Sequence, residues 1–70
     1  MAGSGITLRQ IRYFSAVCHC LSFSGAARAL NVSQPALGMQ IRQLEERLGA
    51  VLLTRKVHGV ELTSAGGKFL

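Results

Sequence analysis

One amphipathic stretch near the middle of the chain constrains the fold more than any other feature. Its apolar stripe follows helical spacing and consists of Leu37, Ile41, Leu44 and Leu48. Ser33 can cap this helix, and Pro35 suits its first turn because amide groups there lack a partner within the helix. Gly49 follows at the position where glycine commonly ends a helix. The pattern predicts a helix over Gln34–Leu48 whose stripe other elements must cover.

Two shorter helices are predicted before it. Thr7, with a glutamine three residues later, fits a capping box and predicts a helix over Leu8–Cys20. The face that this helix is expected to bury consists of Leu8, Ile11, Phe14, Ser15 and Cys18. Ser24 is the predicted N-cap of a second helix over Gly25–Leu30, which is rich in alanine. Asn31 is expected to form the tight turn into the long helix, because asparagine tolerates left-handed backbone.

A two-stranded hairpin is predicted after the long helix, over about Val51–Leu62. Residues 51–54 are compatible with a strand, residues 60–62 alternate in polarity, and a basic tip over residues 55–59 separates them. Thr63 is then a candidate N-cap for another helix. The predicted fold class is mainly α: a three-helix winged helix-turn-helix with a short two-stranded β wing.

The charge balance points to a polyanionic partner. Eight Lys and Arg residues stand against three acids, which gives a net charge of +5 on 70 residues. This total alone does not distinguish nucleic acid from an anionic membrane, but a winged helix-turn-helix places its second helix in the major groove of DNA. The sequence shows neither a signal peptide nor an apolar run near the roughly 20 residues of a membrane span. Double-stranded DNA, no membrane partner and a cytoplasmic location are therefore expected.

Short motifs with a common spacing extend across most of the chain. They are Leu8–Phe14, Ser22-Phe23, Ala26-Ala27, Val32–Leu37, Gln40-Ile41, Leu44-Glu45, Leu48-Gly49, Leu52, Arg55, Leu62-Thr63 and Ala65-Gly66. In this order the sequence resembles the N-terminal domain of LysR-type transcriptional regulators from Leu8 to Gly67. Each motif alone is weak evidence for this family, but the whole set in this order is specific to it. Molybdate-responsive regulators have a similar N-terminal domain and stay an alternative.

The resemblance implies a division of the chain and a set of partners. Residues 1–6 would be a flexible tail, residues 7–62 the DNA-binding domain, and residues 63–70 the truncated start of a dimerisation linker helix. Proteins of this family are mostly bacterial, form dimers or tetramers through that helix, and bind an interrupted palindrome at a promoter or operator. Their small-molecule effector would bind a C-terminal domain that these 70 residues do not contain.

The residues expected to contact DNA lie in two main groups. Those expected at the major groove are Ser33, Gln34, Pro35, Ala36, Gly38, Met39 and Arg42; those expected at phosphate or the minor groove are Arg55, Lys56 and His58; Arg9 and Ser24 would contact DNA from supporting helices. Arg9 could equally belong to a solvated face. Arg42 could instead pair with Glu45 or Glu46, one helical turn further on.

Two pairs of residues depart from the family pattern. Gly38 and Met39 stand where the family usually has serine followed by a basic residue, and Val57 and His58 where glycine and arginine are common. These departures weaken the electrostatics of both expected contact regions. Altered specificity or lower affinity is expected, with the fold retained. They also motivate an alternative function, in which apolar Met39 and Val57 dock another protein.

The sequence carries no convincing catalytic or metal site. Cys18 and Cys20 flank His19, but residues two apart on a helix point about 200° apart and cannot share one ion. Cys18 is most simply a core residue. No nucleophile, base and acid occur in a recognisable arrangement, so we expect no enzyme activity, no cofactor and no bound metal.

Overall fold

A computed structural model describes residues 5–57 and 59–69 and confirms the predicted fold class. The helices are α1 (Leu8–Cys20), α2 (Phe23–Leu30), α3 (Gln34–Leu48) and α4 (Ser64–Phe69), and the strands are β1 (Leu53–Lys56) and β2 (Gly59–Leu62). The core lies where α1, α2 and α3 meet the hairpin. Its fully buried side chains include Phe14, Leu37, Leu44 and Leu52. None of the helices described is both long and apolar enough to cross a membrane.

The predicted capping box begins α1. The Thr7 hydroxyl accepts a hydrogen bond from the Gln10 amide at 3.1 Å, and the Gln10 side chain accepts one from the Thr7 amide at 3.1 Å. The helix ends at Leu21, which caps it in the left-handed conformation with φ 53°. Ile6 packs against the core, so the packed part of the chain begins before Thr7. The first four residues of the predicted tail lie outside the described residues.

The predicted inward face of α1 is only partly right: Phe14 is buried as expected, whereas Leu8 and Ile11 are not. Leu8 and Ile11 are 74% and 42% exposed, and the buried residues are Gln10, Phe14 and Val17. A polar Gln10 can be buried because its carbonyl oxygen caps the helix and its amide nitrogen donates to the Gln43 side chain at 3.4 Å. The buried face of α1 therefore includes Gln10, a polar residue that the spacing of apolar residues does not predict.

The predicted N-cap of α2 is also wrong. Ser22, not Ser24, has extended backbone and accepts from the Gly25 amide at 3.0 Å, so the helix begins at Phe23. The earlier start brings the Phe23 ring into the core, where it is 9% exposed. Asn31 ends the helix with φ 61°, which confirms the left-handed turn into α3.

The sequence prediction for α3 is confirmed at both ends. The Ser33 hydroxyl accepts from the Ala36 amide at 3.2 Å, and Gly49 caps the C-terminus with φ 69°. Leu37, Ile41 and Leu44 are buried as expected, with Leu48 half-buried beyond them. The stripe faces α1 and α2, whose small residues Ala26 and Ala27 are themselves buried. One outer face of α3 is left exposed.

The hairpin forms the predicted wing, but its tip is shorter than the predicted 55–59, because Arg55 and Lys56 lie in β1 and Gly59 begins β2. Its strands are antiparallel, with Leu53 opposite Leu62 and Lys56 opposite Gly59. Its entry is attached to α3 by Glu45, whose Oε2 accepts from the amides of Leu52 at 2.9 Å and Leu53 at 3.2 Å. The sequence offered no local sign of this attachment.

Two further contacts hold the wing in place. Gly59 has φ 139°, and a Cβ there would lie 2.7 Å from the Leu21 carbonyl oxygen, so glycine is required for the close approach. On the other side, the Thr63 hydroxyl donates to the Val51 carbonyl at 2.6 Å and accepts from the Gly66 amide at 3.0 Å. Thr63 thus caps α4, as predicted. The Phe69 ring of α4 packs edge-on against Phe14, with ring centroids 5.5 Å apart.

Candidate nucleic-acid interface

The outward face of α3 presents the residues expected at the major groove. Those that are exposed are Ser33, Gln34, Pro35, Ala36, Met39 and Arg42, and Gly38 is half-buried beside them. Met39 keeps 55% of its surface exposed. The first turn of the helix carries no acidic residue, so its free amide groups and positive dipole end are not neutralised locally. This end of α3 can therefore accept a phosphate or the edge of a base.

Arg55 reaches from the wing to the side of α3. Its guanidinium carbon lies 4.0 Å from the centroid of the Phe23 ring, a cation–π stack. A Cβ placed on Gly38 would lie 3.6 Å from the Arg55 Nη2, so the guanidinium occupies the side of α3 where residue 38 has no side chain. Together with Arg42 and Glu45 these residues line one pocket, which we call the helix pocket. The sequence predicts Arg55 at the wing but does not indicate that it stacks on Phe23.

A second depression, the wing groove, brings together predicted residues from three elements. Ser24 from α2, Gln34 from α3 and Arg55 and Lys56 from β1 all line it. Val57 also lines this groove and is 93% exposed. Because Arg55 belongs to both depressions, it joins the wing to the outward face of α3.

Two predicted residues lie apart from this cluster. Arg9 is exposed at the start of α1 and lines a different groove, with Gln40, Gln43 and Arg47 of α3. It therefore flanks α3 on the side of α1 instead of completing the wing groove. His58, predicted at the wing tip, lies outside the described residues.

Two acids near the interface, Glu45 and Glu61, have defined partners within the domain. Within residues 5–57 and 59–69, the ion pair found joins Lys56 to Glu61 across the wing at 3.6 Å, with both side chains more than half exposed. Such an exposed pair contributes little to stability. The predicted alternative partners of Arg42 do not pair with it; Glu45 instead accepts the backbone amides that begin the wing. Arg42 and Arg55 are both exposed, and neither forms an ion pair within the described residues.

The cysteines lie in different surroundings. Cys18 is half-buried against the core, as expected, and burial raises the pKa of its thiol above the ordinary value. Cys20 is exposed. In the part of the chain that the structure describes, no three His, Cys, Asp or Glu side chains are grouped closely enough to hold a metal ion.

The three-helix core, the capped α3 and the two-stranded wing define a winged helix-turn-helix protein. The family described as bacterial regulatory helix-turn-helix protein, lysR family, matches residues 8–67. The chain belongs to this family.

Known relatives agree with this assignment. The HTH-type transcriptional regulator AlsR of Bacillus subtilis (strain 168) is 54% identical over 63 residues, which cover 90% of this chain and 21% of AlsR. The chain thus spans about a fifth of the length of that relative. Among solved structures, the DNA-binding domain of CbnR in complex with DNA is 47% identical with a TM-score of 0.88, over 91% of this chain and 74% of that one. The DNA-binding domain of BenM bound to catB site 1 DNA is 46% identical with a TM-score of 0.86, over 90% and 71%.

Proposed function

We propose that this chain is the sequence-specific DNA-binding domain of a LysR-type transcriptional regulator. The observation that carries the proposal is the convergence of Gln34, Arg42, Arg55 and Lys56 around the exposed N-terminal half of α3. A surface with a net positive charge beside an exposed helix suits the major groove, which is wide enough to admit that helix. The CbnR and BenM domains, at 47% and 46% identity, are each solved in complex with DNA.

Each element has a proposed place on the duplex. The N-terminal half of α3 lies in the major groove, where Gln34, Met39 and Arg42 meet base edges, with Pro35, Ala36 and Gly38 packed closest to the groove. Ser33 and the N-terminus of α2, with Ser24, face phosphates. Arg55 and Lys56 bring the wing to the adjacent backbone, with Lys56 exchanging Glu61 for a phosphate. Arg9 contacts the backbone from the opposite side of α3.

The organisation of the longer protein is part of the same proposal. Residues 7–62 form the DNA-binding domain and residues 63–70 begin a linker helix through which the protein dimerises or forms tetramers. The regulator acts in the cytoplasm, binds its effector in a domain beyond these residues, and has no catalytic role.

The salt dependence of binding tests this function. If about four phosphates are neutralised per protomer, the logarithm of the association constant falls with the logarithm of salt concentration at a slope near −3.6. Between about 50 and about 200 mM salt, this slope corresponds to about a 150-fold loss of affinity. Fluorescence anisotropy with the 70-residue chain and a labelled duplex measures it. Binding that does not depend on salt would refute the proposal.

Charge-matched variants locate the interface. Replacing Arg55 with alanine removes one proposed phosphate contact and should reduce the slope by about 0.9. Lys68→Ala removes the same charge from exposed α4 and should leave the slope nearly unchanged. If Arg42→Ala and Arg55→Ala weaken binding no more than Lys68→Ala does, the surface is not a DNA interface. The alternative, a protein-docking surface at Met39 and Val57, predicts that outcome.

A further inference from the structure

The exposed half of α3 has an apolar strip at its centre. Pro35 and Ala36 lie four and three residues before Met39, which places each of them beside Met39 on the helix surface, and all three are exposed. Met39 is the largest of them and the only one whose side chain is long enough to extend well beyond the backbone. Because Met39 is a poor hydrogen-bonding residue, a contact between it and a base would have to recognise an apolar group instead of a donor or acceptor.

The chemistry of the major groove limits what an apolar side chain can read there. Base edges in that groove present hydrogen-bond donors and acceptors, and the one apolar group among them is the 5-methyl group of thymine. Methionine has a flexible, polarisable side chain that follows irregular apolar surfaces. Its sulfur is only a weak acceptor, so contact with a polar base edge forms no strong hydrogen bond to replace those that the base makes with water.

The surroundings of the strip favour DNA over a protein partner. Arg42 lies three residues beyond Met39 on the same face, and the Arg55 guanidinium occupies the side of α3 next to Gly38. Positive charge thus borders the strip on two sides, as a polyanion requires. Because Gly38 has no side chain, the neighbouring position makes no competing contact with a base.

Resting on the proposed function, we propose that Met39 is a specificity-determining residue that recognises the 5-methyl group of a thymine in the major groove. The contact selects thymine by an apolar interaction, whereas Arg42 and Arg55 supply charge that every sequence shares. The departures of Gly38 and Met39 from the family pattern then change which base is read and leave the mode of docking unchanged.

Replacing thymine with deoxyuridine tests the inference because it removes only the methyl group. Duplexes are first selected from a random pool by the 70-residue chain, and each thymine of the selected site is then replaced singly. Wild-type protein should bind one or two of the substituted duplexes about fourfold more weakly, the factor expected for one buried methyl group. Met39→Ala should lose this sensitivity at the same positions, and Met39→Leu should retain most of it.

A matched control separates this effect from a general loss of apolar surface. Val51 is 62% exposed and lies outside α3, so Val51→Ala should keep the full deoxyuridine sensitivity of the wild type. Because Met39 is exposed, its variants should melt close to the wild-type temperature by circular dichroism.

The possible outcomes distinguish the two proposals. A wild-type chain that is indifferent to deoxyuridine at every position, or a Met39→Ala variant that keeps the sensitivity, would overturn the role of Met39 and leave DNA binding intact. A Met39→Ala variant that selects the same sites as the wild type, with the same affinity, would also overturn it. A pool from which the folded chain enriches no site refutes the proposed function itself.

Discussion

Removing the Glu45 carboxylate should destabilise the domain far more than its position on a half-exposed helix face suggests. Its Oε2 accepts two backbone hydrogen bonds, from Leu52 at 2.9 Å and from Leu53 at 3.2 Å. Both residues are buried, at 1% and 8% exposure, so their amide groups have limited access to water once the carboxylate is gone. The Glu45→Ala variant leaves two donors without their partner at the point where the wing begins.

The expected magnitude follows from the number and kind of these bonds. A hydrogen bond to a charged group contributes about 1.5 kcal/mol or more, so Glu45→Ala should lower the free energy of unfolding by about 2–3 kcal/mol. For a domain of this size that change lowers the melting temperature by about 10–20 °C. Both bonds use one oxygen, and the carbonyl oxygen of glutamine can accept both. Glu45→Gln should therefore cost only about 1 kcal/mol.

Urea unfolding followed by circular dichroism measures these differences. The matched control is Glu46→Ala, which removes the same charge from the next, exposed position of α3 and should change stability by less than about 0.5 kcal/mol. If Glu45→Ala is no more destabilising than Glu46→Ala, the carboxylate does not hold the wing. If Glu45→Gln is as damaging as Glu45→Ala, charge and not the shared acceptor oxygen accounts for the effect.

Two other predictions concern the wing and the cysteines. Gly59→Ala should lower the free energy of unfolding by more than about 1 kcal/mol, because of its positive φ and the nearby Leu21 carbonyl, and unchanged urea unfolding would contradict this. Exposed Cys20 should be alkylated at neutral pH well before Cys18, as followed by mass spectrometry of peptides. Burial raises the pKa of Cys18, so its reaction needs more alkaline solution, and stability decreases as pH rises past the ordinary thiol pKa because the unfolded chain ionises first. Equal alkylation rates at neutral pH would show that the two thiols do not differ in this way.

Features governed by neighbouring residues could be predicted from the sequence. The bounds of α3 depend on Ser33 and Gly49, whose capping roles are local, and the structure confirms both. The capping box at Thr7 and the left-handed turn at Asn31 are local in the same sense. The wing could be predicted because glycine and the alternation of β2 mark a hairpin within about ten residues.

Features that depend on distant partners could not be predicted in this way. Ser22 and Ser24 are equally good caps by type, and the choice between them depends on the Phe23 ring entering the core. Gln10 is polar and buried because Gln43, 33 residues away, accepts its hydrogen bond. The stacking of Arg55 on Phe23 joins positions 32 residues apart in the same manner. Residue type and local spacing do not predict contacts between residues so far apart in the chain.

Thr63 connects the wing to α4 through hydrogen bonds to both. Its hydroxyl joins the Val51 carbonyl to the first turn of α4, and its amide donates to the Leu52 carbonyl at 3.0 Å. Gly66, in the first turn of α4, packs so closely on the Leu52 carbonyl that it leaves no space for a side chain. Twisting α4 about its axis would therefore displace the entry of the wing directly, with no flexible joint between them to absorb the rotation. The orientation of the wing relative to α3 thus depends in part on the orientation of α4.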